Sequence, residues 1–264
     1  QQQLRRSAFP CYGQSGDSSS NDSLGHARGC MFETRTYDDP DVLPAAARNH
    51  WRFIETNSAA AVMKAVCAAE WADIVSVLSS YRLNPSTWLR KGGNRGDIAK
   101  EIDQLFQDRG WKEARLDLET KGILYSKDQT LLGELPPVYQ EGYLVDNFKG
   151  RVVLDVEWNA KDGNLDRDLA SYRSWYEAGV ISAGVIITKD RLSLLELARR
   201  VWQTYQDTLT ELERVKELPI DLGTSTTTTY DKAAMRVRRG VMGTCPVLVV
   251  AATADTWNGQ PFTV

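Results

Sequence analysis

The sequence of 264 residues predicts an α/β fold, a mixed central sheet flanked by helices, and three observations carry that prediction. Helical and extended periodicities follow one another along the chain, as they do in layered α/β architectures. Residues 180–188 and 247–252 are nearly continuous apolar runs, as expected of strands covered on both faces. Between residues 151 and 159 apolar and polar residues alternate, which marks a strand with two chemically different faces.

The elements follow in order. Residues 1–40 read as a leader or arm, with Ser, Gly, Asp and Asn concentrated over 10–30, and residues 41–264 as one domain. Residues 43–78 look helical, with Trp51, Ile54, Val62, Val66, Trp71, Ile74 and Val77 as the apolar positions. Asn84-Pro85-Ser86 breaks that pattern. A glycine-rich loop over 92–96 feeds a helix that Asp97 can cap, with Ile98, Ile102, Leu105 and Phe106 on its apolar face and Gly110 at its end. Residues 112–125 and 136–147 look extended, separated by Pro136-Pro137. Asn147-Phe148-Lys149-Gly150 reads as a turn, and the alternating strand follows it over 151–159. Next come a helix over 164–178, the buried strand 180–188 and a long amphipathic helix over 192–218. The Thr-rich loop 223–230 and a basic segment precede the last buried strand, 247–252.

Composition narrows the chemistry. The sequence holds only two histidines, His26 and His50, which argues against Ser/His/Asp hydrolysis and His-ligated metals. Cys11, Cys30, Cys67 and Cys245 are scattered without a CxxC pair, so neither a disulfide framework nor a zinc site is indicated. Cys67 and Cys245 sit in apolar segments and read as core residues. No apolar run reaches the ~20 residues of a membrane span, and the start, Gln1-Gln2-Gln3-Leu4-Arg5-Arg6, does not lead into an apolar stretch. A cytoplasmic protein is expected. An enzyme of this composition would rest on carboxylates and a hard metal ion. The formal net charge of −3 does not announce a nucleic-acid partner, but a local basic face is what neutralises phosphates. Arg90, Lys91 and Arg95, and again Lys232, Arg236, Arg238 and Arg239, either form such a face or are solvated helix surface. The 92–96 loop could clamp a phosphate, but it lacks the Gly-Lys-Ser/Thr ending of a P-loop.

The alternating strand carries the chemistry. Val152, Leu154, Val156 and Trp158 face one way, while Val153, Asp155, Glu157 and Asn159 face the other. Asp146, just before the preceding turn, can approach this acidic face across a hairpin. Carboxylates gathered this way repel unless a cation sits among them, and oxygen-only ligands favour Mg²⁺. A polar edge strand would show the same alternation. On spacing alone, a phosphodiester-cleaving site and a structural edge stay open.

The constellation Asp146…Glu157-x-Asn159 resembles the PD-(D/E)xK nuclease motif, with Asn159 where that motif usually has lysine. The departure is similar to that of BglII-type restriction endonucleases, where an amide takes the lysine's place. The run Leu154-Asp155-Val156-Glu157-Trp158-Asn159-Ala160-Lys161-Asp162, continuing to Asp166-Arg167-Asp168-Leu169, looks like this group, as do Ser225-Thr226-Thr227-Thr228 and Gly243-Thr244-Cys245-Pro246-Val247. The resemblance implies a PD-(D/E)xK restriction-endonuclease-like core within 41–264, in the BglII/BamHI-like group. It implies a Mg²⁺-dependent type II restriction endonuclease cutting duplex DNA at a short palindromic site. Two-fold symmetric DNA is most simply read by a homodimer.

By the same resemblance, Asp146 and Glu157 hold the metal together with the backbone carbonyl of Trp158, and Asn159 orients the attacking water. An amide accepts no proton at neutral pH, so the general base is left open. Asp155 is either an outer group of the site or a strand-end hydrogen-bonding residue. Glu70 and Glu101 are the candidate acids from the upstream helix. For DNA contact the candidates are Arg95, Lys161, Asp162, Asn164, Arg167, Ser225, Thr226, Thr227, Arg236, Arg238 and Arg239. Lys161 either meets the scissile phosphate or is a solvated turn residue, and Arg167 either reads DNA or joins an ion-pair cluster. Two other readings compete: a catalytically silent DNA-binding module in which Asn159 marks loss of the lysine, and a repair or structure-specific nuclease.

Overall fold

A computed structural model describes residues 32–89, 96–215, 217–219 and 226–263. In chain order its strands and helices are β1 (Glu33–Thr34), α1 (Ala45–Arg48), β2 (Trp51–Thr56), α2 (Ala59–Val66), α3 (Ala68–Ser80), α4 (Pro85–Trp88), α5 (Asp97–Gln107), β3 (Lys112–Arg115), β4 (Leu118–Thr120), β5 (Ile123–Tyr125), β6 (Leu131–Glu134), β7 (Val138–Gln140), β8 (Leu144–Lys149), β9 (Val152–Val156), α6 (Asn164–Glu177), β10 (Ala183–Lys189), α7 (Arg191–Gln206), α8 (Tyr230–Arg238) and β11 (Val247–Ala252).

Seven strands form one sheet in the order β1-β2-β11-β10-β9-β8-β3. β10 runs parallel to both β9 and β11, while β2, β8 and β3 are antiparallel to their neighbours, so the sheet is mixed as predicted. β10 and β11 are buried at every residue, which explains their apolar continuity. Each sheet face has its own core. Val152, Leu154, Val156 and Trp158 join a core built with α2, α3, α5 and α7, and Val153 joins Leu165, Leu169, Tyr172 and Trp175 of α6 and Ala233 and Val237 of α8. Each fully buried large apolar side chain stabilises the fold by roughly 1.5–3 kcal/mol. Cys67 and Cys245 are free, buried thiols of these cores.

Several predicted elements are corrected. Residues 43–78 are not one helix: β2 interrupts them and pairs antiparallel with β11 along its whole length. Trp51-Arg52-Phe53-Ile54-Glu55-Thr56 is aromatic and β-branched, and sheet pairing overrides the surrounding alanine-rich pattern. The strand ends where Asn57 and Ser58 take positive φ. The turn expected at 147–150 lies later, because β8 continues to Lys149 and Gly150 makes the reversal at φ +51. A Cβ on Gly150 would stand 1.8 Å from Glu70 Oε1, so the turn needs glycine twice over. Asp97 is the first residue of α5, with Gly96 as the cap. α7 ends at Gln206 and not near 218, where the chain folds back and Val215 N–H donates to Gln206 Oε1 at 2.7 Å. β10 begins at Ala183 and the basic segment is α8. Between β3 and β8, β4 pairs with β7 and β5 with β6 in two small sheets, with Leu124, Leu132, Leu135 and Tyr139 exposed. Among the described residues, no helix is long and apolar enough to cross a membrane.

Candidate active site

The β8–β9 hairpin builds the site. Asn147 pairs with Leu154, Phe148 with Val153 and Lys149 with Val152, and the ladder stops there. Beyond it the Asp146 N–H donates to Asp155 Oδ1, which brings the two acids together at the open end of the hairpin. Glu157 lies two residues beyond Asp155 on the same face. Asp146, Asp155 and Glu157 therefore line one cleft of about 330 Å³, joined by Ala99 and Asp103 of α5, Lys161, and Asn164 and Arg167 of α6.

Asp155 is locked in place. Its Oδ1 accepts the Asp146 N–H at 2.7 Å, and its Oδ2 lies 2.7 Å from the Tyr172 hydroxyl, itself 2.8 Å from Val185 O. One hydroxyl proton serves a single acceptor. Both tyrosine contacts are hydrogen bonds only when Asp155 carries a proton. Burial, then the charges of Asp168 and Asp146, push Asp155 well above the usual carboxylate range in agreement. Of the two readings of Asp155, the hydrogen-bonding one describes its contacts.

Glu157 is 5% exposed. Its backbone is pinned: its N–H donates to Ile187 O at 2.8 Å, and its carbonyl accepts from the hydroxyls of Thr188 at 2.8 Å and Thr228 at 2.7 Å. Its carboxyl is pushed up to about 9, first by burial and next by the charge of Asp168. Asp168 of α6, missed by the sequence reading, lies within hydrogen-bonding reach of Glu157, and burial raises it too while Arg167 pulls it down. Glu157 Oε2 and Asp168 Oδ2 are buried without a hydrogen-bond donor. Two ionised carboxylates offer only acceptors, so their contact needs a shared proton or a cation.

The other predicted residues fall in several places. Asn159 does not line the cleft: its Oδ1 is 3.2 Å from Lys189 Nζ, and its amide nitrogen packs against Gly96. The Trp158 carbonyl accepts from the same Lys189 Nζ. That ammonium is buried, and desolvation followed by the charge of Lys232 lowers it to about 7, with Glu157 opposing. Glu70 sits at the far, turn end of the hairpin beside Gly150, and Glu101 faces Tyr81 at 3.4 Å. The acid that α5 brings to the cleft is Asp103, which is 2% exposed and accepts from Asn147 Nδ2 at 2.8 Å. Its signal was its place in the buried stripe of Ile98, Ala99, Ile102 and Phe106.

Lys161 bridges to Thr227, and Thr226 O accepts the Asp162 N–H at 2.9 Å, which fastens the Thr-rich segment to the chain just after β9. Among the DNA-contact candidates, Arg167 pairs with Asp168 at 2.7 Å, Asp162 with Lys232 at 3.3 Å and Arg238 with Glu33 at 2.9 Å. Arg236 grips both oxygens of Asp166 at 2.9 Å, and Arg239 is exposed at the end of α8. Arg90, Lys91, Arg95, Ser225, His26, Cys11 and Cys30 lie outside the described residues. His50 bonds Asp255 O and Arg82 away from the cleft.

The cleft's donors are hard carboxylate oxygens, and the two orphaned buried oxygens fit a divalent cation. Among the described residues, no three carboxylate, imidazole or thiol groups gather closely enough to hold one ion by themselves. Mg²⁺ commonly takes one or two carboxylates and completes its shell with water and phosphate. The donor set suits that mode.

The family model described as restriction endonuclease BglII/BglIII matches residues 51–252, from the first residue of β2 to the last of β11. No curated protein matches the chain.

Proposed function

Because the chain belongs to the BglII/BglIII restriction endonuclease family, we propose that it is a type II enzyme that hydrolyses duplex DNA at a short palindromic site as a Mg²⁺-dependent homodimer. The observation that carries the reading is the gathering of Asp146, Asp155 and Glu157 in one cleft, the first two tied by a hydrogen bond, with Lys161 and Arg167 at its rim. Asp146 and Glu157 hold the cation, and Asp103 and Asp155 back them. When bound, Mg²⁺ lowers the pKa of a coordinated water and offsets charge on the phosphate and the leaving oxygen.

The chain's own residues supply the rest. Lys161 and Arg167 meet the phosphate backbone at the mouth, and Thr226 and Thr227, tied to the 160–162 segment, approach the same strand end. Tyr172 fixes Asp155, and the Thr188 and Thr228 hydroxyls fix the main chain at Glu157, so the acids are held on rigid elements. Among the described residues no imidazole lines the cleft, and the proton of the attacking water passes to a carboxylate or to the DNA phosphate. Asn159, turned towards Lys189, stabilises the end of the strand and is not the group that orients the water.

Incubation of the purified protein with phage DNA and Mg²⁺ tests this. Discrete fragments whose mapped ends share one palindrome support it. A gel shift without cleavage identifies a silent DNA-binding module, and preference for branched substrates a structure-specific nuclease.

A further inference from the structure

α6 follows β9 and lays Leu165, Leu169, Tyr172 and Trp175 on the core beneath the sheet. Asp168 lies within this buried stripe, one helical turn after Leu165 and one before Tyr172. An acid is seldom placed there without a partner for each oxygen. Arg167 supplies one: its Nε and Nη2 both reach Asp168 Oδ1, at 2.8 and 2.7 Å. Nothing donates to Oδ2, which is buried at a residue 3% exposed; the side chain lies within hydrogen-bonding reach of Glu157, whose Oε2 is equally without a donor.

The hydroxyls closest to serving Glu157 are committed elsewhere. Thr188 and Thr228 both donate to its backbone carbonyl and leave its carboxyl without a donor. Two neighbouring carboxyls from different elements, each more than nine-tenths buried and each with an oxygen that no donor serves, leave a need that a cation meets.

We infer that Asp168 and Glu157 together form a cation site, in which a divalent ion binds between their two carboxyls with water completing its shell. Arg167 then has a defined duty: by holding Oδ1, it leaves Oδ2 for the ion and keeps the pair from carrying two uncompensated charges. The site's role in DNA cleavage rests on the nuclease reading above, but the binding of a metal does not.

The test uses the full chain without DNA. Mn²⁺, which shares the preference for hard oxygen ligands, is titrated into wild-type protein and into Asp168→Asn and Asp166→Asn, with free Mn²⁺ followed by electron paramagnetic resonance. Asp168→Asn preserves shape, and a thermal melt verifies folding. Binding weakened at least tenfold by Asp168→Asn, with Asp166→Asn like wild type, is the expected result. Equal affinity in wild type and Asp168→Asn overturns the inference and identifies the pair as a shared proton, and so does an absence of Mn²⁺ binding by wild type. Anomalous scattering from Mn²⁺-soaked wild-type crystals needs no variant: the ion belongs within about 2.3 Å of Asp168 Oδ2, and an ion bound only elsewhere contradicts the assignment. Mn²⁺ binding without DNA cleavage would sink the nuclease reading and leave this site standing.

Discussion

Glu157 concentrates the energetics of the site. Burial and the neighbouring acids raise its carboxyl from 4.5 to about 9, so the folded protein holds a proton there that the unfolded chain releases. The sign follows from linkage: this contribution to stability is complete below about pH 4.5 and is lost as pH rises towards 9. Asp155 and Asp168 are raised in the same direction, each chiefly by burial. In EDTA the free energy of unfolding should fall between pH 5 and 7, by at most about 1.4 kcal/mol per pH unit for each group; above pH 7 the lowered Lys189 opposes the fall. Glu157→Gln should flatten that fall, and a slope identical to wild type would contradict the protonated carboxyl. Alternation in the sequence revealed this acid, because a strand places every second residue on one face. Asp103 and Asp168 escaped because they lie on helices, where an acid on the buried side differs from a solvated one only by what the helix packs against. Asn159 turns to Lys189 because β9 ends at Val156, and three residues beyond it alternation no longer directs the side chain.

At the scale of elements, β9, β10 and α6 act as one unit. Gly184 on β10 leaves room for Tyr172, whose ring would lie 2.2 Å from a Cβ placed there, and the hydroxyl of that ring reaches Asp155. Gly184→Ala should cost about 1–3 kcal/mol by overpacking and lower cleavage by displacing Tyr172. Unchanged melting and activity would show that the ring moves freely. Tyr172→Phe removes only the hydroxyl and should cost about 1–3 kcal/mol through the unpaired Val185 carbonyl and Asp155 oxygen, as read from urea denaturation. The buried strands were legible because β10 and β11 are covered on both faces and leave an unbroken apolar record. β2 was not, because its pairing with β11 is set some 190 residues away, beyond the reach of local periodicity. The false extension of α7 has the same origin: its amphipathic pattern continues, but Asp207 and Thr208 close the helix and the chain turns back onto Gln206.

For the whole molecule, a chain of net charge −3 must bind DNA through a local field. Lys161 lines the cleft and Arg239 is exposed at the end of α8. Affinity for duplex DNA should therefore drop steeply with salt, log K falling linearly with log salt by about 0.9 for each phosphate contact. Lys161→Ala should reduce that slope by about one contact, and an unaltered slope would remove Lys161 from the interface. The central claim is that the acidic face of the β8–β9 hairpin cuts DNA, and Glu157→Ala tests it most directly. Phage DNA is digested with Mg²⁺ by wild type and by the variant, and specific binding of both is measured in Ca²⁺. Cleavage by the variant should be reduced by about 10³-fold or more with binding retained; cutting at the wild-type rate would place the chemistry elsewhere.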